Sequence, residues 1–426
     1  MAPPCHPCDP ISPVSTDPFL NASLEVILRF GSLMVRTGDA GFRIVAALKA
    51  LAAKVGLDDL AVNVAVTTIT ATATRNGEHL TLVREVGPLG INAAQLMELE
   101  RLAQDDTRAM RPEEIDSALD RIERTAPLHS WVTVSLAIGL TCASFSYLNG
   151  GDLPGTLAAI VGGAFGQALR MALSRRHLNQ YMMTAICALA AAGMCHLLLL
   201  LLAEAGEASH HGIGILASML FLVPGFPLVA GLLDLLQRQT VAAVVRLTYG
   251  ATLLAAAAFG LGIVVAFAGY SLPEATVSSA SPAVVLILRG GASFIGGVGF
   301  ALLYNSPWRV ACAVGLLTLV GNELRLSLYD AGVTLASATF VGAFTAGLLA
   351  SLARRLLRQP RIVLSVPSII IMVPGSYAFQ ATVLFGRGDV QAGLQAAVVV
   401  AFVVGAMALG LATARFVGER QWLFET

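Results

Sequence analysis

Charge is what this sequence has least of. Only 13% of its 426 residues are Asp, Glu, Lys or Arg, while 56% are hydrophobic. A soluble chain of this length needs more charge to cover its surface. The scarcity is also uneven. Residues 1–129 hold 29 of the 54 charged residues, and beyond them every basic residue is Arg. The zero net charge therefore hides two regions suited to different solvents, and no nucleic-acid partner is expected from it. Cysteine is sparse and scattered, at Cys5, Cys8, Cys142, Cys187, Cys195 and Cys312. Cys5-His6-Pro7-Cys8 lacks a second ligand pair at zinc spacing, so neither a metal nor another cofactor is expected. The first 18 residues are Pro-rich and carry no apolar run, so they read as a disordered tail with no secretory signal.

Residues 19–127 have the pattern of a folded cytoplasmic α+β domain. Phe19 to Val35 and Phe42 to Val55 space their apolar residues three and four apart, as amphipathic helices do. Gly56 sits at a C-cap position. Leu60 to Thr74 and His79 to Val86 are β-rich, and Asn76-Gly77 between them signals a hairpin because both residues tolerate positive φ. Two further helices are predicted near Asn92–Asp106 and Pro112–Arg124, with Glu113 and Glu114 at the positive end of the second helix dipole. His79 is the single His of this domain, which has neither a Cys nor a Gly-x-Ser-x-Gly. A membrane-anchored hydrolase is thus a minor alternative to a regulatory or gating domain, and the chain is not expected to be an enzyme.

The remainder reads as membrane. A span needs about 20 apolar residues, and ten candidates lie near 130–149, 153–173, 181–203, 213–235, 244–269, 283–304, 308–328, 333–353, 362–386 and 391–415. With the N-terminal domain inside, Arg175, Arg176, Arg238, Arg309, Arg354, Arg355, Arg358, Arg361 and Arg420 fall in cytoplasmic loops or the tail. Asp152, Glu204, Glu207, Glu274, Asp330 and Asp389 fall outside, and only Arg387 breaks the pattern. The positive-inside rule then places both termini in the cytoplasm of a multi-pass inner-membrane protein.

The two halves also resemble each other. Gly166-Gln167-Ala168-Leu169-Arg170 matches Gly321-Asn322-Glu323-Leu324-Arg325. Ile138-Gly139 and Tyr147 match Ile295-Gly296 and Tyr304, and Val223-Pro224-Gly225 matches Val373-Pro374-Gly375. The offsets are 155, 157 and 150. Five spans are an odd number, so a second copy enters from the opposite side. The expected fold is a polytopic α-helical protein of ten transmembrane helices in two inverted five-span repeats, over 128–270 and 283–417. A linker (271–282) joins them, and a short tail (418–426) ends the chain.

The Pro-Gly breaks point to a substrate site. Proline removes a helix hydrogen bond, and glycine lets the chain leave helical geometry. Non-helical backbone at mid-bilayer is tolerated only inside protein or facing a water-filled cavity. Freed carbonyls there take a cation or ammonium, and the N–H groups of the next half-helix take a carboxylate. The alternative is a pair of simple kinks. The candidate substrate-binding residues are Pro224, Gly225, Asn322, Pro374, Gly375, Ser376, Tyr377 and Gln380. Glu323 with Arg325 is the candidate proton-coupling pair, since an ionisable group at that depth is costly. The alternative is an inert ion pair between the two. Arg170 and Asp234 sit near span ends, where snorkelling is expected.

Taken together, the motifs resemble the threonine/serine exporter family over about residues 25–417. They are Arg36-Thr37-Gly38-Asp39-Ala40-Gly41-Phe42-Arg43, the Gly56-Leu57 helix end, the hairpin, Phe221-Leu222-Val223-Pro224-Gly225 and Ile371-Met372-Val373-Pro374-Gly375-Ser376. One departure is Val45, which comes after Ile44 where the family usually carries an acid. The resemblance implies efflux of threonine and serine driven by the proton gradient. Relatives with the two halves on separate chains imply a dicarboxylate such as succinate as the rival substrate, and an Arg in the cavity would favour it. The expected partners are a small-molecule substrate, protons and the lipid bilayer, and a homo-oligomer is compatible with all of this.

Overall fold

The computed structural model describes residues 17–104, 109–176, 178–202, 212–268 and 281–418. The Cys5-Cys8 cluster, most of the linker, Glu204, Glu207, Glu274 and Arg420 lie outside them. The chain divides into two compact units. Of the described residues, those up to Leu89 and those within Glu98–Thr125 build one, and Gly90–Met97 with those after Thr125 build the other. Residues 90–97, expected in the soluble domain, thus group with the second unit. There the Ala93 N–H donates to the Tyr304 carbonyl at 2.8 Å.

In the first unit, α1 (Pro18–Arg36) and α2 (Gly41–Val55) precede three strands, β1 (Asp59–Ala65), β2 (Thr68–Arg75) and β3 (Glu78–Glu85). The strands form an antiparallel sheet in the order β1-β2-β3. The long β-rich stretch is two strands, because Val66 and Thr67 turn the chain. Asn76 and Gly77 make the second turn with φ of 50° and 80°, as Asn-Gly pairs do in tight hairpins. Leu24, Ile27, Leu48, Leu51, Ile69 and Ala73 are buried together as the core of this unit. α3 (Ala93–Gln104) and α4 (Pro112–Arg124) come next. Gly56 ends α2 in the left-handed region at φ 86°.

The motif at 36–43 has a structural cause. Gly38, at φ 95°, turns the chain from α1 to α2. The fully buried Asp39 accepts from the Ala40 N–H at 2.9 Å and from Arg43 Nε at 2.7 Å, and Arg43 also reaches Glu100 at 2.8 Å. Burial works against the Arg43 charge, but the two carboxylates outweigh it and hold its pKa above the ordinary arginine value.

The second unit is all helix. α5 (Trp131–Leu148), α6 (Leu153–Ser174) and α7 (Gln180–Leu202) come first. Next is a bent pair, α8 (Gly212–Ser218) with a single 3₁₀ turn at Leu220–Leu222 and α9 (Gly225–Leu236), and then the long α10 (Thr240–Ala268). The same order recurs in α11 (Pro282–Leu303), α12 (Trp308–Asp330) and α13 (Leu335–Leu357). It continues with α14 (Arg361–Ile369), a 3₁₀ turn at Ile370–Met372, α15 (Gly375–Gly386) and α16 (Val390–Gly418). Among the described residues nine helices, α1 included, are long and apolar enough to cross a membrane, and the two bent pairs pass the same test. Large apolar side chains such as Leu201, Phe267, Ile287 and Leu356 stand exposed. An apolar exterior of this kind suits lipid and not water. The chain is a polytopic membrane protein.

Packing comes in twins. α5 packs on α6 as α11 does on α12, α6 on α8 as α12 on α14, and α7 on α10 as α13 on α16. The bent pairs also reach across, since α9 packs on α16 and α15 on α10. A Cβ on Gly166 would meet Ala191, and a Cβ on Gly321 would meet Ala346, 25 residues on in each case.

Candidate functional site

Both breaks arise from the same three residues. Val223 and Val373 leave helical geometry at φ/ψ of −63°/123° and −60°/128°, and Pro224 and Pro374 continue at −79°/56° and −79°/61°. The helix directions change by 57° at the first break and 54° at the second. Pro367 stays inside α14 without breaking it. The glycines permit close crossing. A Cβ on Gly225 would lie 3.2 Å from Val373 and 3.3 Å from Ile370, while a Cβ on Gly375 would overlap Leu220 and lie 3.5 Å from Val223. Each break is thus packed by the residues that form the other.

A cavity of about 140 Å³ opens beside the second break. Pro374, Gly375, Ser376 and Tyr377 line it from α15, and Asn322, Arg325 and Tyr329 from α12. Asn149 lines it at the end of α5, and Leu220 enters from the first break. Pro224, Gly225, Gln380 and Glu323 are not among its lining residues.

The polar side is a connected network. Asn322, buried, donates through Nδ2 to Ser293 Oγ at 2.8 Å and accepts from Arg325 Nη1 at 3.0 Å. Arg325 Nε donates to Thr339 Oγ1 at 3.1 Å. These two bonds orient the guanidinium and leave Nη2 without a partner among the described residues. The Arg325 charge also lies within electrostatic reach of Tyr329 and Tyr377. Ser376 Oγ donates to Asn149 Oδ1 at 3.3 Å. α15 begins at Gly375, whose N–H donates to the Val373 carbonyl at 2.8 Å, so the Ser376 and Tyr377 N–H groups lack intrahelical acceptors and carry the positive end of the helix dipole. A guanidinium and a helix N-terminus facing one small cavity are a carboxylate-binding arrangement.

Glu323 lies two residues from Arg325 on α12, so the two side chains leave the helix in different directions, and no ion pair joins them. Glu323 Oε2 is buried with no hydrogen-bond partner among the described residues. Its charge senses Arg289 and Asp330, which pair with each other. Snorkelling does not describe Asp234. It is fully buried in an ion pair with Arg246 at 3.1 Å, because α10 presents that arginine to α9.

Sequence reasoning missed Asn149, Tyr329, Ser293 and Thr339. The available signal was positional. Asn149 lies just after Tyr147, and Asn305 just after Tyr304, at matching helix ends.

Apolar helices in this number, with two broken pairs and a polar cavity beside the second break, define a polytopic membrane protein. Comparison with known proteins narrows the class. A threonine/serine exporter family model matches residues 25–268. A second, described as "Threonine/Serine exporter, ThrE", matches residues 290–417. The chain belongs to the threonine/serine exporter family. It is 26% identical over 381 residues to a Mycobacterium tuberculosis protein named "Probable threonine/serine exporter", covering 86% of this chain and 70% of that one. It is also 28% identical over 183 residues to the Escherichia coli "Probable succinate transporter subunit YjjP", covering 42% of this chain and 69% of that one. The same-named Klebsiella aerogenes protein is 27% identical over the same share of this chain. No solved structure matches the chain.

Proposed function

We propose that this protein exports threonine and serine by secondary-active, proton-coupled transport, with the substrate carboxylate on Arg325 and the first turn of α15. The observation that carries the reading is Arg325. It is anchored by Asn322 and Thr339, has no carboxylate partner among the described residues, and faces a cavity at a broken helix. Asn149 Oδ1, the tyrosine hydroxyls and the carbonyls of the 3₁₀ turn are the acceptors for the substrate's ammonium and hydroxyl groups. Glu323 carries the coupling proton, since its buried oxygen has no competing hydrogen bond among the described residues.

The scaffold in this reading has ten spans. α1 is set aside because 67% of its apolar window is buried. The remaining eight long helices and the two bent pairs form two five-span repeats of opposite orientation. The twinned helix packing and the near-identical break dihedrals support that arrangement. The Arg distribution supports cytoplasmic termini and an inner-membrane location. The unit before Thr125 then serves regulation or gating at the cytoplasmic face.

A second reading, export of a small dicarboxylate, is favoured by one feature. The cavity lining contains an arginine and no Asp or Glu to meet an ammonium. Proteoliposomes loaded with labelled threonine, serine or succinate under an imposed pH gradient separate the readings. Gradient-dependent efflux of threonine and serine is expected. Movement of succinate alone would transfer the assignment to the dicarboxylate, and movement of none would overturn the transport reading.

A further inference from the structure

We infer that Arg170 and Gln167 form a second carboxylate site, distinct from the Arg325 cavity, at which substrate is taken up from the opposite face of the membrane. The inference rests on the transport reading above.

Gln167 and Arg170 stand 155 residues before Asn322 and Arg325, but their surroundings differ. Asn322 has its hydrogen bonds filled by Ser293 and Arg325. Gln167 is only 3% exposed, and its Oε1 has no hydrogen-bond partner among the described residues. Arg170, one helical turn on and half-buried, has no hydrogen bond or ion pair among them either. Buried polar groups are nearly always satisfied, and a half-buried guanidinium beside one keeps its hydrogen-bonding capacity open. A site that waits for a ligand accounts for both at once.

The neighbours fit an anion. The Arg170 charge lies within electrostatic reach of Tyr304, buried at the end of α11, and of Tyr249 on α10. The Tyr249 hydroxyl donates to Gln180 Oε1 at the start of α7. The ring of Phe226, in the first turn after the first break, meets Tyr304 edge-on with centroids 5.7 Å apart. α6, α10 and the end of α11 thus bring one guanidinium and two tyrosines together beside the first break, as α12 and α15 do beside the second. The guanidinium takes a carboxylate. Gln167 Oε1 takes the hydroxyl or ammonium of the same small molecule. The five-span reading makes α6 and α12 antiparallel, so the two arginines serve opposite faces.

The test is sided exchange of labelled threonine in oriented proteoliposomes, with half-saturation measured separately on each face. Arg170→Gln is expected to raise half-saturation about tenfold on the face carrying the α6–α7 turn and to leave the other face unchanged, with Arg170→Lys intermediate. Arg325→Gln should reverse the pattern. Wild-type exchange with an Arg170→Gln variant unchanged on both faces, or raised equally on both, would overturn the second site alone. A wild type that moves neither threonine, serine nor succinate would overturn the transport reading, and this inference with it. If Arg170→Gln does not fold, Gln167→Ala takes its place, with the same one-sided rise expected and an unchanged value overturning the site.

Discussion

Arg325 donates to Asn322 at 3.0 Å, one turn away on the same helix, and no carboxylate among the described residues pairs with it. An arginine inside a membrane protein usually finds an acid. Here an amide and a hydroxyl hold the guanidinium in place without neutralising it, so the positive charge remains available to a substrate.

The crossing of the two breaks makes their glycines unequal. Gly375→Ala would drive a methyl group into Leu220, whereas Gly225→Ala meets the ends of Val373 and Ile370 at 3.2 and 3.3 Å. Overpacking costs about 1–3 kcal/mol, and Gly375→Ala should sit at the upper end. Thermal unfolding in detergent should rank Gly375→Ala below Gly225→Ala, with Leu220→Ala recovering part of the Gly375→Ala loss. The reverse ranking would show that the crossing is looser than these contacts imply.

The buried Asp234–Arg246 pair predicts a strongly non-additive pair of variants. Removing one partner of such a pair leaves an uncompensated buried charge and costs about 3–5 kcal/mol. In the second half the same positions are Leu384 and Ala396. Asp234→Leu alone should therefore lower the unfolding temperature, and Asp234→Leu with Arg246→Ala should restore much of it. A double variant no better than the single would contradict the pairing.

These two cases show what was legible in the sequence. The breaks were, because Pro-Gly in an apolar run has few other meanings, and the turns at Gly56 and Asn76-Gly77 were, because each needs positive φ. Asp234 was not. Its partner lies 12 residues on, across a helix turn, and linear spacing carries no sign that Arg246 points back at it. The cavity was half legible. Asn322 and Pro374 to Tyr377, expected at a substrate site, line it, while Arg325, expected only as the proton-coupling partner of Glu323, lines it too. The offset of 150 between the breaks implied an equivalence that the lining does not share. Pro227 also stands where Tyr377 stands in the second break, and it lacks the N–H that Tyr377 supplies.

On α4, Asp116, Asp120 and Glu123 share one face and converge on Arg29, at 2.5, 2.6 and 2.9 Å. The Arg29 hydrogen bonds hold the Asp120 and Glu123 carboxyls below their usual range. Lowered folded-state values give stability that is present above the unfolded values, near 4, and lost as pH falls through the folded ones. Hydrogen exchange of α4 should therefore be faster in Arg29→Ala than in wild type at pH 7. The difference should shrink as pH drops below about 4. A difference that grows on acidification would reverse the sign of this linkage.

If Glu323 carries the proton, Glu323→Gln should keep threonine exchange in the absence of a gradient and lose its acceleration by an imposed pH gradient. Arg289 and Asp330 are the charged groups that face it, and they remain paired in the variant. Retained acceleration would remove Glu323 from the coupling path.

The central claim is that a substrate carboxylate binds Arg325. A ligand that binds only the folded protein stabilises it by RT ln(1 + c/Kd) at free concentration c, and so raises its unfolding temperature. Purified wild-type protein should be stabilised by threonine, and Arg325→Gln should be stabilised clearly less while unfolding at a similar temperature without ligand. Equal stabilisation of the two proteins by threonine would contradict the account.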